Sequence, residues 1–316
     1  MNLEAIEERK NEITKKYGAW TAHNIHLQGD SYTISPAIVG DEVKLRRVVQ
    51  CISDLHGGSV AGLRVLDLAC LEGLYAIEFG RRQAKVVGVE GREANVEKAR
   101  FAKEALGLTN VEFVQDDVRN LSRHKYGEFD VVLCLGILYH LDVPDVFAFI
   151  SRLGEVCRRV CLIDTRICVK PTMTHVHNGK RRYGARTEEH DRRDSAEQKI
   201  SKLWASIDNN EAFWLTRPSL YNALYDAGFT SVYECNIPAE PNKPADRITF
   251  VAIKGKPVDL LSAPLISNYV VGEMPERPQK EETVVLEILK RFSRVALPKE
   301  ARKRLKRLIG RENPLS

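Results

Sequence analysis

Residues 63–75 read LRVLDLACLEGLY. The stretch opens as an apolar run and reaches an acid at Asp67. It then passes a small residue at Ala69 and enters a helical pattern at Gly73 that lasts to Arg82. An apolar run leading through a tight turn into a helix is the local form of a βα unit in a parallel sheet.

Working outward, the same unit recurs. Apolar runs at 85–90 (KVVGVE), 111–116 (VEFVQD), 129–136 (FDVVLCLG) and 160–165 (VCLIDT) alternate with helical patterns at 93–106 and 143–156. A further helix is expected at 218–227, followed by strands at 231–237 and 247–253. These last two runs lie close together with Pro and Asn between them, which predicts an antiparallel hairpin at one edge. The fold class expected is therefore α/β: a doubly wound, mostly parallel seven-stranded sheet with an antiparallel terminal hairpin. An N-terminal helical cap over residues 1–57 precedes the core at 58–256. Residues 257–316 form a linker and a basic helical tail. Residues 167–212 break the alternation and are too long for a plain connection, which suggests a lid.

The composition fits this class. Of 316 residues, 43% are hydrophobic, enough for a core that needs no disulfides. Seven cysteines are present without CxxC or Cys/His zinc spacing, so they read as reduced packing residues and no metal site is expected. The opening MNLEAIEERKNEITKKYG has no apolar signal region, and no run approaches the roughly 20 apolar residues of a membrane span. A cytoplasmic chain is expected, with peripheral attachment to the inner face of the membrane as an added reading. The net charge of +5 is unevenly placed: residues 290–311 carry +9, and the remainder is near −4. In 282–311 basic residues share helical spacing with Val285, Ile288, Leu289, Phe292, Leu305 and Leu308. Such a basic amphipathic segment suits an anionic membrane surface, a docking face on the body or on a second subunit, or, less well, nucleic-acid phosphates.

In an open parallel sheet, ligands bind beyond the strand C-termini where the topology reverses. The loop there is VLDLACLEG (65–73). It lacks the GxGxxG of a pyrophosphate cradle, and its small positions suit a ligand approached by backbone amides at a helix N-terminus. This loop resembles motif I of class I S-adenosylmethionine-dependent methyltransferases, an acid followed by three glycines at alternate positions. Asp67 matches the acid, and Ala69, Leu71 and Gly73 stand at the glycine positions. Three more positions match in order: Glu90 after the second strand, Asp116 and Asp117 after the third, and Leu135–Gly136 after the fourth. The resemblance implies S-adenosyl-L-methionine as cofactor. The loop, including Cys70 and Glu72, would hold its methionine end, and Glu90 with Gly91 its ribose. Asp116, Asp117 and Val118 would hold its adenine, with Asp117 and Val118 the closest match. The segment GILYHLDVP (136–144) also resembles the corresponding stretch of tRNA wobble-uridine carboxymethyltransferases.

For the transfer itself His140 is the candidate base, with Tyr139 beside it; a capping or core histidine is the alternative. Candidate acceptor-binding residues are Trp20, His23, Asn24 and His26 before the core, Arg182 in the insertion, and Trp214 with Arg217 ahead of the sixth strand. The leading expectation is O-methylation of a sugar, glycolipid precursor or other small hydroxylated metabolite. RNA modification and a non-catalytic cofactor-binding module are the competing readings.

Overall fold

The computed structural model describes residues 1–36, 42–241 and 243–256, together with 258, 260 and 262. The expectations for the tail at 282–311 lie outside the described residues. In chain order the elements begin with α1 (Leu3–Tyr17), α2 (Glu42–Leu55), β1 (Arg64–Leu68), α3 (Leu74–Arg81), β2 (Lys85–Glu90) and α4 (Glu93–Ala105). Next come β3 (Val111–Gln115), α5 (Arg123–Tyr126), β4 (Phe129–Leu135), α6 (Asp145–Val156) and β5 (Cys157–Arg166). The insertion holds β6 (Met173–His177), β7 (Lys180–Glu188), α7 (Ala196–Ser201) and β8 (Glu211–Leu215). The order closes with α8 (Arg217–Asp226), β9 (Ser231–Glu234) and β10 (Arg247–Ile253).

Seven strands form one sheet in the order β3-β2-β1-β4-β5-β10-β9. The first five are parallel, whereas β10 runs antiparallel to both β5 and β9. The topology reverses at β1, which pairs with β2 on one side and β4 on the other. This is the sheet the alternating apolar runs predict.

The period-two alternation of the strands divides the core between two faces. Val65, Val131, Leu133 and Leu162 face the cluster under α1 to α4, which includes Ile6, Ile52 and Phe79. Leu66, Val132, Cys134 and Ile163 face the cluster under α6 and α8, which includes Phe149, Leu220 and Leu224. Both sets are buried, and each such side chain contributes about 1.5–3 kcal/mol of apolar burial. A one-residue slip would exchange the two sets, so register and packing enforce each other.

The insertion differs from a plain lid. Its β6, β7 and β8 form a separate three-stranded antiparallel sheet. Asn178 and Gly179, both with positive φ (51° and 76°), make the β6–β7 turn; an Asn-Gly pair suits a two-residue hairpin whose twist requires left-handed backbone. The histidines of β6 lie against the fold's second core: His175 and His177 stack on Phe147 at 5.4 and 5.0 Å.

Candidate functional site

A cleft of about 330 Å³ lies at the C-terminal ends of β1 to β4, on the reversal of the topology. That volume falls within the range of small-molecule sites. Asp67, Leu71, Glu90, Asp116, Gly136 and His140 are among the residues lining it.

The loop after β1 forms one wall. Ala69, Leu71 and Gly73 all have left-handed backbone, with φ of 52°, 46° and 87°. The loop thus keeps a conformation that glycine adopts freely, although two of the three positions carry side chains. Each left-handed non-glycine residue costs about 1–2 kcal/mol. Only Gly73 is sterically required, because a Cβ there would meet the Phe113 ring at 2.8 Å and the Ala99 Cβ at 2.9 Å.

Glu90 ends β2 and fastens this loop. Its carboxylate accepts the Leu71 amide at 3.0 Å and the Arg92 amide at 2.9 Å. Burial raises its pKa from the usual carboxylate range, against those hydrogen bonds. Burial also pushes the Asp67 carboxyl up to about 8, although it accepts the Ala76 amide at 3.2 Å. Two buried carboxyls with raised pKa values therefore face one cavity. At the other end, burial works to raise the Asp116 carboxyl, but hydrogen bonds from Lys125, Tyr126 and Asn120 outweigh it and pull it down to about 2. Motif spacing points to Asp117 as the acid of this end. The structure brings Asp116 and Val118 to the cleft instead and ties the Asp117 carboxylate to the Arg119 guanidinium at 2.9 Å.

Glu72 does not line the cleft. It is buried, and its oxygens accept the amides of Thr21, Ala22 and His23 at 2.8, 3.2 and 3.0 Å, with Lys98 Nζ at 3.4 Å. This clamp holds the segment before the core over the loop. It places His23 in the cleft wall, where Nδ1 accepts the Leu74 amide at 3.2 Å. Cys70 and Gly91 line the cleft as well, as do Leu135 and Tyr139.

Residues 203–207 form the opposite wall. The Arg92 guanidinium holds them down through the carbonyls of Ile200, Lys202 and Ala205 at 3.0 Å and Ser206 at 3.3 Å. Ile207 lies on Gly91 so closely that a Cβ there would meet its Cδ1 at 2.3 Å. Trp204, 64% exposed, stands at the mouth.

At the end lined by Tyr139, His140 Nδ1 lies 2.8 and 2.9 Å from the two carboxylate oxygens of Glu189. Both side chains are largely shielded, 13% and 6% exposed. Glu189 also accepts the Ser206 amide at 2.7 Å, and Asn209 donates to the His140 carbonyl at 2.9 Å. Tyr139 has its pKa raised by burial, with Arg247 over its ring at 5.4 Å.

Several sequence candidates sit elsewhere. Trp20 packs on Phe101, Asn24 bonds the Ser35 carbonyl, and His26 bonds the Gly29 carbonyl and stacks on Tyr32. Arg182, 2% exposed, pairs with Asp226 of α8 at 2.6 Å, and Arg217 pairs with Glu234 at 2.6 Å. Trp214 donates its indole N–H to the Tyr139 carbonyl at 2.9 Å, so it supports the cleft from behind. None of these six lines the cleft. Conversely, Lys44, Arg92, Glu189, Arg247 and the 203–207 wall carry no motif that marks them. Among the described residues no group of three or more His, Cys, Asp or Glu is placed to hold a metal. Nor is any described helix long and apolar enough to cross a membrane.

Residues 65–159 match the family model described as methyltransferase domain. Ubiquinone biosynthesis O-methyltransferase of Acinetobacter baylyi is 36% identical over 91 residues, which cover 29% of this chain and 38% of that protein. The Nitrosococcus oceani protein of the same name is 36% identical over 86 residues, covering 27% and 36%. The match thus spans little more than a third of these relatives. Among solved structures, the N-terminal domain of EvdMO1, crystallised in the presence of SAH and D-fucose, aligns with a TM-score of 0.62. It is 23% identical, covering 81% of this chain and 98% of that one. At that identity the likeness establishes the fold.

Proposed function

We propose that the protein is an S-adenosylmethionine-dependent O-methyltransferase of a small hydroxylated acceptor, because residues 65–159 match the methyltransferase-domain model and the chain shares the fold of the EvdMO1 N-terminal domain. The cleft's donors and acceptors fit that cofactor. Glu90 suits a vicinal diol, because a carboxylate can accept two hydrogen bonds at once, and a positively charged ligand would draw the buried Asp67 and Glu90 carboxyls back toward their ionised forms. The loop residues Ala69, Cys70 and Leu71, which line the cleft, would hold its amino-acid end, and Asp116 with Val118 its adenine. When bound, S-adenosylmethionine supplies a methyl group activated on a sulfonium.

The observation that carries the oxygen acceptor is the His140–Glu189 pair. With Nδ1–H donated to the carboxylate, Nε2 carries the lone pair that can take a proton from an acceptor hydroxyl. Glu189 sets the tautomer and stabilises the imidazolium once it forms. The 203–207 wall and the clamped segment at 21–23 line the cleft and would hold the acceptor in line, which is where much of the rate of a displacement originates. Relatives named as ubiquinone O-methyltransferases and a neighbour crystallised with D-fucose are in keeping with a phenolic or sugar hydroxyl.

The test is calorimetry with S-adenosylhomocysteine, followed by transfer from methyl-labelled cofactor. Glu90→Ala is expected to weaken binding roughly tenfold or more, the loss of a charge-assisted contact. Unchanged affinity refutes the ribose assignment, and label found only on nitrogen or carbon refutes the oxygen acceptor.

A further inference from the structure

Residues 202–205 of the cleft wall read KLWA and form a tight turn, closed by the Ala205 amide donating to the Lys202 carbonyl at 3.1 Å. Leu203 and Trp204 therefore occupy its two corners. Such corners ordinarily go to Gly, Asn, Asp, Pro or Ser, which adopt turn backbone readily or bond to it. A Leu-Trp pair offers neither advantage. Both residues line the cleft, and Trp204 is largely exposed at its mouth. Among the described residues the Trp204 ring has no hydrogen-bonding, ionic or aromatic partner. Trp20 and Trp214 differ: the first packs on Phe101, and the second bonds the Tyr139 carbonyl.

The turn is held firmly. Arg92 Nη2 donates to both carbonyls at its base, those of Lys202 and Ala205, at 3.0 Å. One residue on, Ser206 gives its amide to Glu189 at 2.7 Å, and its carbonyl lies 2.8 Å from His190 Nε2. Glu189 is the partner of His140, so the turn is set at a fixed place relative to the candidate base. Tyr139, beside that base, is fixed as well. Arg247 lies over its ring at 5.4 Å and donates to Asp164 at 2.6 Å. Burial works to raise the Asp164 carboxyl, but Lys44, Arg247 and Lys243 outweigh it and pull it down to about 2. It therefore stays charged and keeps its hold on Arg247. One short segment thus reaches the cofactor end through Ile207 on Gly91 and the base through Ser206, and it presents Trp204 at the mouth.

An indole on an anchored turn loses little freedom when a ligand settles on it. Its electron-rich face complements an offset aromatic ring or the C–H face of a pyranose. Building on the O-methyltransferase reading, we propose that the acceptor carries a ring, phenolic or pyranose, that stacks on Trp204 while its hydroxyl meets Nε2 of His140. Trp204 then selects cyclic over open-chain acceptors.

The probes are matched pairs with and without a ring: catechol against ethane-1,2-diol, and D-glucose against D-sorbitol. Each is titrated calorimetrically into wild-type protein saturated with S-adenosylhomocysteine. In parallel, nuclear magnetic resonance follows the three indole N–H signals, that of Trp204 being the one lost in Trp204→Phe. At least one cyclic member is expected to bind roughly fivefold tighter than its open-chain partner, the scale of one aromatic contact, and to shift the Trp204 signal. The pair that responds tells a phenol from a pyranose. Trp204→Ala is expected to abolish the difference while S-adenosylhomocysteine affinity holds, and Trp204→Phe to retain part of it. Equal binding within both pairs, a Trp204 signal that no cyclic probe moves, or a discrimination that survives in Trp204→Ala overturns the proposal. So does a parallel loss of S-adenosylhomocysteine affinity in Trp204→Ala, which would place the indole on the cofactor. The wild-type comparison stands even if a variant fails to fold. If S-adenosylhomocysteine does not bind wild-type protein, the methyltransferase reading falls and takes this proposal with it. Absent discrimination with S-adenosylhomocysteine bound overturns this proposal alone.

Discussion

Glu189 lies 2.8 Å from the ring nitrogen of His140, and the same carboxylate accepts the Ser206 amide at 2.7 Å. One side chain therefore orients the candidate base and anchors the wall that closes the cleft. His140→Ala should lower kcat by about 10²–10⁴, the usual contribution of general acid–base catalysis. Glu189→Gln should lower kcat in the same direction by less, with S-adenosylhomocysteine affinity unchanged and faster hydrogen exchange at the Ser206 amide. A fall in cofactor affinity matching the fall in kcat would show a general collapse of the cleft and not a positioning role.

Asp67 should make the ligand-free protein less stable as pH rises. Its folded pKa, about 8, stands above the ordinary value of 3.8, so the native state favours the protonated form. That contribution is fully present below about pH 4 and is lost as pH climbs through about 8. Glu90, also raised, acts with the same sign. Asp164 acts oppositely: depressed to about 2, it contributes above the unfolded value and loses that contribution as pH falls toward 2. Urea unfolding at pH 5 and pH 8 checks the first effect, and Asp67→Asn should flatten the difference between the two.

Arg92→Ala should release the wall at 200–208. Each lost contact between a guanidinium and a buried carbonyl costs about 1.5–3 kcal/mol before relaxation, and four carbonyls share this guanidinium. Limited proteolysis should cut within 200–208 in the variant and spare the sheet. Unaltered protection would mean that Ile207 on Gly91 and the Arg119–Asp208 pair at 2.7 Å suffice to hold the segment.

Ala69→Gly should stabilise the fold by up to about 1 kcal/mol. Relief of left-handed strain, about 1–2 kcal/mol, outweighs the extra freedom of glycine in the unfolded chain, about 0.4–1 kcal/mol. Gly73→Ala should do the reverse and cost several-fold more, because its Cβ would also strike Phe113 and Ala99. Thermal melts of the two variants beside wild type check both signs.

The central sheet was legible because Val65, Val86, Val131 and Val160 belong to apolar runs buried on both faces, a pattern with few alternative explanations. Asp67 and Glu90 were legible because strand ends face the ligand side by topology alone. The choice between Asp116 and Asp117 was not, because adjacent residues after a strand point apart and only local pairing settles which one turns inward. Arg119 settles it here by capturing Asp117. The strands of the insertion were hidden because β6 and β7 alternate half-buried polar residues without an apolar face. Asn178–Gly179 was their one visible sign. Glu189, 49 residues from His140, and Arg247, 83 residues from Asp164, join the site through tertiary contacts that no local pattern encodes.

The clamp at Glu72 bears on what counts as a self-sufficient unit. The stretch shared with known methyltransferases runs from 65 to 159, and Glu72 sits inside it. The three amides it accepts, at 21–23, lie outside. Excised on its own, that cassette would carry a carboxylate at its centre facing Lys98 alone among these partners. Grafting it onto another scaffold would therefore import an unsolved charge unless residues 19–23 travelled with it, making the portable piece of this protein discontinuous in sequence.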